Sequence, residues 1–270
     1  MTAIAVSIAG SDSSGGAGIQ ADLKTFAALG VYGATVITAL TAQNTQGVSA
    51  IHDVPVEFIA AQIDAVFSDL DVGAVKIGMI SHAAAIEEIA AGLIRHRARN
   101  IVLDPVMVAT SGARLLAPDA VEALRSALIR RALVVTPNLP EAAALTGASL
   151  ARNEEEMEIQ AREILTLGAR TVLIKGGHAA SFDGGGESVD LLIGQGEVVR
   201  YSARRIATEN THGSGCTLSA GIAAGLAKGL ELAEAVRQAK SYVTSAIAAA
   251  DRLRIGHGHG PLNHFYGSAP

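Results

Sequence analysis

Short apolar runs rich in Val and Ile recur along the chain and alternate with longer stretches whose apolar positions repeat at helical spacing. That alternation is the pattern of parallel strands, each followed by a helix that returns across the sheet. Strands are predicted near residues 3–9, 34–41, 74–79, 100–106, 132–136 and 171–175, and helices near 17–29, 55–69, 82–97, 118–130, 153–167, 214–228 and 231–251. In the last of these, Leu232, Val236, Ala239, Val243, Ala246, Ile247 and Ala250 share one face, with Lys240 at its margin, so this helix packs on the sheet. Two segments depart from the alternation. Residues 48–54 are strand-like directly after a strand, and 188–206 reads as a hairpin turning at Gly194-Gln195-Gly196, pieces suited to a small flap or an antiparallel sheet edge. Residues 183–186 read as a mobile surface loop. The predicted fold class is α/β, doubly wound.

Composition narrows the picture. A chain of 270 residues with 49% hydrophobic and 17% charged positions can bury one sizeable core, and one domain spanning 1–270 is expected. Aromatics make up 3%, without Trp, while Gly numbers 29, which favours close packing through small residues and leaves nothing to stack nucleic-acid bases. A net charge of −5 with only short basic pairs such as Arg204-Arg205 argues against nucleic acid and anionic membranes as partners. The single cysteine excludes an intramolecular disulfide and fits a reducing compartment. The N-terminal run lacks basic residues and suits a buried strand better than a signal sequence. No stretch is apolar for the roughly 20 residues that cross a bilayer, and a cytoplasmic location is expected.

The stretch richest in chemistry is Thr211-His212-Gly213-Ser214-Gly215-Cys216, running into a small-residue helical segment. Two glycines let the backbone turn with N–H groups exposed, and the helix dipole adds positive character, making an anion hole for transferring phosphoryl charge. The same dipole would lower the Cys216 thiol pKa and suit it as a base or nucleophile, although a lone cysteine also serves as a small buried hydrophobe. Ser11 to Gly18 is either a tight strand-to-helix turn or a nucleotide loop, matching neither common phosphate-loop spacing. Asp22 falls on the first turns of the next helix, where the dipole favours a carboxylate with or without a ligand. Asn138-Leu139-Pro140-Glu141 has capping-box spacing; Asn138 and Glu141 would otherwise stand near Mg²⁺ through its waters. Lys175, at the end of an apolar strand before two glycines, could meet a phosphate or simply be solvated. The histidines of Gly256-His257-Gly258-His259-Gly260 lack regular metal-ligand spacing, and no structural zinc is expected.

Taken together, Ala9-Gly10-Ser11-Asp12-Ser13-Ser14-Gly15-Gly16-Ala17-Gly18, Ala42-Gln43-Asn44-Thr45, Lys76-Ile77-Gly78-Met79, Asp104-Pro105-Val106-Met107, Thr136-Pro137-Asn138-Leu139-Pro140-Glu141, Lys175-Gly176-Gly177-His178 and Asn210 to Cys216 resemble the hydroxymethylpyrimidine/phosphomethylpyrimidine kinases of thiamine biosynthesis, within the ribokinase-like superfamily. The resemblance runs from the first strand to the last helices. It implies a three-layer α/β/α fold with a mostly parallel sheet, a homodimer, and two successive phosphorylations by ATP with Mg²⁺, of 4-amino-5-hydroxymethyl-2-methylpyrimidine and then of its monophosphate. It also implies that Gln43 reads the pyrimidine, that Asp22 and Gly10 stand near the hydroxymethyl end, and that Met79 and Val106 wall the pocket. Gly213, Ser214, Gly215 and Cys216 correspond to the anion hole, with Cys216 where many superfamily relatives carry an aspartate base. Asn138 and Glu141 resemble the Mg²⁺ and phosphate region, and Thr211, Lys175 and Lys240 fall in segments associated with ATP. Pyridoxine or pyridoxal kinase activity is the nearest alternative. A cysteine-nucleophile acyltransferase using Cys216 and His212 and a noncatalytic pyrimidine-binding protein are the others.

Overall fold

The structure, a computed structural model, describes residues 1–107, 120–177 and 186–267. The strands in chain order are β1 (Ile4–Ala9), β2 (Tyr32–Ile37), β3 (Ala39–Asn44), β4 (Gly47–Asp53), β5 (Ala74–Ile77), β6 (Ile101–Leu103), β7 (Val134–Val135), β8 (Thr171–Lys175), β9 (Glu187–Ile193) and β10 (Val198–Arg204). Eight of them form one sheet in the order β10-β9-β8-β7-β6-β5-β1-β2, and β3 and β4 pair apart as an antiparallel flap. The run from β2 to β8 is parallel, whereas β9 lies antiparallel to both β8 and β10 at the edge.

Both faces of this sheet are covered, which is why its strands read as continuous apolar runs. Val6, Ile8, Val75, Ile77, Val135 and Ile174 point into one core, shared with α2 (Val56–Asp69), α3 (Ala83–Arg95), α4 (Ala120–Ala123), α5 (Leu139–Thr146) and α6 (Glu154–Thr166). Ala5, Ala74, Val102, Val134 and Leu173 point into the other, shared with α1 (Gly18–Ala28), α7 (Ser214–Ala227) and α8 (Leu232–Ala248). Small residues set the second layer's spacing: a Cβ on Gly225 of α7 would lie 2.8 Å from Ala235 Cβ of α8.

Four boundaries differ from the sequence pattern. The strand expected over 34–41 divides at Thr38, whose N–H donates to Ala9 O at 3.1 Å and whose hydroxyl donates to Met79 O at 2.7 Å; this buried polar anchor turns the chain out of the sheet into the flap. The helix expected at 118–130 is described from Ala120 and continues through a π turn, Leu124–Leu128, and a 3₁₀ turn, Ile129–Arg131. The helix expected to 251 ends at Ala248. Helix α5 was visible only as its cap, because eight residues ending at Gly147 with φ 74° are too few to display a helical period. The edge hairpin at 188–206 and the strand at 48–54 form as expected, as β9–β10 and β4. Of the loop expected at 183–186, residues 183–185 lie outside the described residues.

Because β1, β5, β6, β7 and β8 are parallel, their carboxyl ends and the loops that follow them lie on one side of the molecule. The strand order reverses beside β1, with β2 following on one side and β5 on the other, the place where open parallel sheets form a ligand crevice.

Candidate active site

The N-terminus of α7 closes over these strand ends. Gly213 is its N-cap in the left-handed region at φ 83°, and a side chain there would fall on the Gly16 carbonyl oxygen, so only glycine fits. The turn is held by Ser214 N–H donating to Thr211 O at 3.1 Å and Thr217 N–H donating to Gly213 O at 2.8 Å. No side chain caps this helix end; with the Ser214 N–H turned to Thr211 O, the N–H groups of Gly215 and Cys216 are the ones offered to an anion.

Beneath it lies a buried cluster from β6, β7 and β8. Lys175 Nζ is 2.8 Å from Asp104 Oδ1, and Asp104 also accepts from Thr136 Oγ1 and Ser219 Oγ, each at 3.1 Å. A Cβ on Gly215 would stand 3.3 Å from Lys175 Nζ, which puts the lysine directly under the anion turn. Burial alone would push Asp104 up and Lys175 down, but their pairing wins, leaving the aspartate lowered and the lysine raised. Glu141 differs. Burial, helped by Asp104, pushes its carboxyl up to about 7 against the opposing pull of Lys175 and of N–H donors from Asn138 and Met107. Asn138 and Glu141 do form the capping box, with Glu141 Oε2 accepting from Asn138 N–H at 2.8 Å and Asn138 Oδ1 accepting from Glu141 N–H at 2.9 Å. Cap and charge cluster are thus the same residues. Lys240 stands farther along, its Nζ 2.7 Å from Asp190 Oδ2, while Asp190 Oδ1 accepts from Gly176 N–H at 3.1 Å; the pair braces the loop after β8. His178 of that loop lies outside the described residues.

Cys216 is half-buried in the first turn of α7, where its sulfur receives the Gly18 N–H. Its thiol runs against the expectation from the helix dipole. Burial pushes it up to about 11, with Asp22 and Asp104 adding to the rise and Lys76 opposing it. Desolvation of a thiolate outweighs a terminal partial charge here.

The other wall comes from β1, the flap and β5. Gly10 packs so closely on Met79 that a Cβ would lie 2.8 Å from its Sδ, and Gly10 N–H donates to Met79 O at 3.2 Å. Val106, partly exposed, follows β6, its N–H donating to Asp104 O at 2.8 Å. Gln43 is half-buried on β3, with its backbone N–H and O both bonded to Ser13 Oγ at 2.8 and 2.7 Å. Its side-chain amide lies near Thr41 Oγ1 and His212 Nε2, at 3.1 and 3.4 Å.

Asp22 does not line this wall. It is wholly buried, accepting from Ser7 Oγ at 2.5 Å and paired with Lys76 Nζ at 2.8 Å, a layer below the surface that a ligand could touch. Lys76, equally buried, is the residue sequence reasoning passed over. A lysine inside the apolar run Ala74-Val75-Lys76-Ile77 needs a buried counter-charge, and that requirement was the available signal. Asp12 was also passed over: its carboxylate holds the Ser14, Gly16 and Ala17 N–H groups and lies 2.8 Å from His212 Nε2. The glycine–histidine tail forms no metal site among the described residues. It straps the flap to the anion turn, with His259 N–H donating to Thr45 O at 2.9 Å and His212 N–H donating to Gly260 O at 3.1 Å.

A parallel α/β/α sandwich with an uncapped glycine turn and a lysine at the strand ends defines a nucleotide-dependent kinase of the ribokinase-like kind. The chain is similar over 98% of both lengths to a hydroxymethylpyrimidine/phosphomethylpyrimidine kinase of Rhizobium meliloti, at 62% identity. Among solved structures, it is similar to an ADP complex of Bacillus subtilis pyridoxal kinase, with TM-score 0.89 and 37% identity over 98% of both chains. It is also similar to phosphomethylpyrimidine kinase from Clostridium difficile, with TM-score 0.79 and 47% identity over 90% of this chain and 99% of that one. The phosphomethylpyrimidine kinase family model matches residues 12–263, and the chain belongs to that family.

Proposed function

We propose that this chain, as one kinase domain over 1–270, transfers the γ-phosphoryl of ATP to the hydroxymethyl oxygen of 4-amino-5-hydroxymethyl-2-methylpyrimidine, and then phosphorylates the monophosphate to the diphosphate in thiamine biosynthesis. The observation that carries this reading is the uncapped turn at 213–216, set directly over the Lys175–Asp104 pair and beside the Gly10–Met79 wall. Phosphoryl transfer asks little covalent chemistry of a protein; positioning and electrostatics supply most of the acceleration. Backbone N–H groups of the 213–216 turn stabilise charge on the migrating phosphoryl group, and Lys175 at the end of β8, Thr211 before α7 and Lys240 on α8 meet the nucleotide phosphates. Cys216 accepts the proton of the attacking hydroxyl. A thiol at about 11 is rarely ionised at neutral pH, so only the small thiolate fraction acts as the base, its sulfur taking the hydroxyl proton as the oxygen–phosphorus bond forms. Gln43 reads the pyrimidine edge, and Met79 and Val106 hold its flanks.

The carboxylates of Asp104 and Glu141 and the amide of Asn138 are hard oxygen donors at the ends of β6 and β7. That set fits Mg²⁺, which keeps most of its waters; Glu141 and Asn138 would hold it through water, and the ion would neutralise phosphate charge. The solvent-facing Leu40, Ile51 and Phe58 beside the flap suit a homodimer contact, and dependence on ATP suits the cytoplasm. Among the described residues no helix is long and apolar enough to cross a membrane.

The test is ATP consumption coupled to mass analysis of the product. The expected result is one and then two added phosphates on the aminopyrimidine alcohol, with kcat/KM above that for pyridoxal. Preference for pyridoxal would instead assign the chain to vitamin B6 salvage.

A further inference from the structure

The donors and acceptors around Gln43 do not suit an amide with its nitrogen toward His212 and its oxygen toward Thr41. Asp12 is 1% exposed. Its Oδ1 accepts from the Ser14 N–H and hydroxyl at 2.8 and 2.7 Å, and its Oδ2 from the Gly16 and Ala17 N–H groups at 3.1 and 2.8 Å. Burial would raise this carboxyl, but His212, Ser14 and Ala17 outweigh it and hold it well below the usual carboxylate range. Asp12 is therefore an acceptor only. His212 Nε2, 2.8 Å from Asp12 Oδ2, must carry a proton and donate it, whatever the charge on the ring.

The Gln43 amide nitrogen lies 3.4 Å from that same Nε2, which would set a donor against a donor. On the other side the Thr41 hydroxyl has one proton. It lies 2.8 Å from Ser11 O, which can only accept, and 3.1 Å from the Gln43 amide oxygen. Once the hydroxyl donates to Ser11, an oxygen lone pair is what it offers Gln43, and that calls for an N–H. Both neighbours thus demand the same amide, with its oxygen toward His212 and its NH₂ toward Thr41. Oxygen and nitrogen of an amide are told apart only by such networks.

We propose that Asp12 and His212 are positioning residues that, with Thr41, fix which way round the Gln43 amide stands. The fixed amide selects a ring edge with an exocyclic donor beside a ring-nitrogen acceptor and rejects the reversed order. This rests on Gln43 reading the pyrimidine, as proposed above. An aminopyrimidine presents its amino donor beside an unprotonated ring nitrogen. The 4-oxo analogue, 5-hydroxymethyl-2-methylpyrimidin-4-one, reverses the two: its ring N–H donates and its carbonyl accepts. Binding it would require the amide to turn against both neighbours, or leave buried polar groups unpaired, the circumstance in which sites discriminate by orders of magnitude.

The experiment measures kcat/KM with ATP and calorimetric Kd without it, for the 4-amino and 4-oxo alcohols, in wild type, His212→Leu and Thr41→Val. Wild type should prefer the amino alcohol by about 10²-fold or more. His212→Leu frees the amide to turn and should cut that preference at least about tenfold, in Kd as well as kcat/KM, with KM for ATP little changed. Thr41→Val, which leaves the anion turn untouched, should cut it about threefold and decides the matter should His212→Leu fail to fold. A loss in kcat shared equally by both alcohols, with their ratio unmoved in both variants, overturns the lock alone. No turnover of either alcohol by the wild type overturns the reading of the function, and the lock with it.

Discussion

The two walls of the cleft are built on different principles. The phosphoryl wall takes its groups from strand ends and a helix terminus: Asp104, Thr136 and Asn138 follow β6 and β7, Lys175 ends β8, and Gly215 follows the α7 cap, gathered around a Lys175–Asp104 pair almost without solvent exposure. The recognition wall places Gln43 on a two-stranded flap outside the main sheet, where β4 is largely solvent-exposed. Side-chain ties to Ser13, Thr41 and His212, and the Thr45 carbonyl oxygen accepting from His259 N–H, hold it. Chemistry common to many phosphoryl transfers sits on the scaffold, whereas the part that chooses a ring sits on a tethered hairpin that can vary without disturbing the sheet. If the division holds, damage to the first wall lowers kcat and damage to the second raises KM for the alcohol.

Cys216→Ala should give the largest effect. Removing the proton acceptor is expected to lower kcat by about 10²–10⁴-fold, with KM for the alcohol changed by less than about threefold and an unchanged melting curve. The pH profile separates base from bystander. With the thiol pushed up to about 11, wild-type kcat/KM should climb through pH 7–10 without a plateau. Cys216→Asp, whose carboxyl ordinarily ionises far lower, should level off earlier. A Cys216→Ala enzyme with near-normal kcat would move the base elsewhere on this wall.

Stability against pH probes the phosphoryl wall and the tail next, because each holds a group displaced in the opposite sense. Glu141 on the phosphoryl wall has a folded pKa of about 7 against an ordinary 4.5. Its contribution is full below about pH 4.5 and is lost as pH rises through 7, on the order of 3 kcal/mol across the window. His264, buried in the tail and 3.0 Å from Thr217 Oγ1, is pushed down to about 4 by burial and by Lys24. Its contribution is full above about pH 6.5 and lost as pH falls through 4, of similar size. Glu141→Gln keeps capping-box chemistry and should raise Tm at pH 8 relative to wild type while matching it near pH 4.5. His264→Gln should flatten only the acid limb. Thermal scans from pH 4 to 8.5 read both, and a Glu141→Gln variant no more stable than wild type at pH 8 would mean that the charge is already compensated.

How much of either wall was legible in the sequence follows from what periodicity and spacing encode. The parallel layers, the edge hairpin and the glycine turn were readable, because each is a local pattern of apolar, small or turn-forming residues. The pairing of Asp22 was not legible, since the dipole argument gives a helix-start carboxylate the same reason to exist whether it faces a ligand or Lys76, 54 residues away. The flap's separation from β2 turned on one hydroxyl, Thr38, bonded across to Met79. The thiol pKa of Cys216 was missed because the dipole is a local property, while desolvation depends on everything that packs around the turn. Long-range pairings of polar groups are the part that a one-dimensional pattern leaves open, and the recognition wall is made of them.

The smallest effect, and the one that probes the division most finely, concerns the strap. A Cβ on Gly258 would fall on the Thr45 carbonyl oxygen, so Gly258→Ala must push the tail off the flap. The tail's own links to the anion turn, Gly260 N–H to Asn210 Oδ1 at 3.0 Å and His212 N–H to Gly260 O at 3.1 Å, begin two residues later. Loosening the flap alone should raise KM for the pyrimidine alcohol about three- to tenfold, a loss near 1 kcal/mol, with kcat and KM for ATP within about twofold of wild type. A fall in kcat matching the rise in KM would show that the strap makes the two walls one mechanical unit, and the hairpin could not then vary independently of the chemistry it serves.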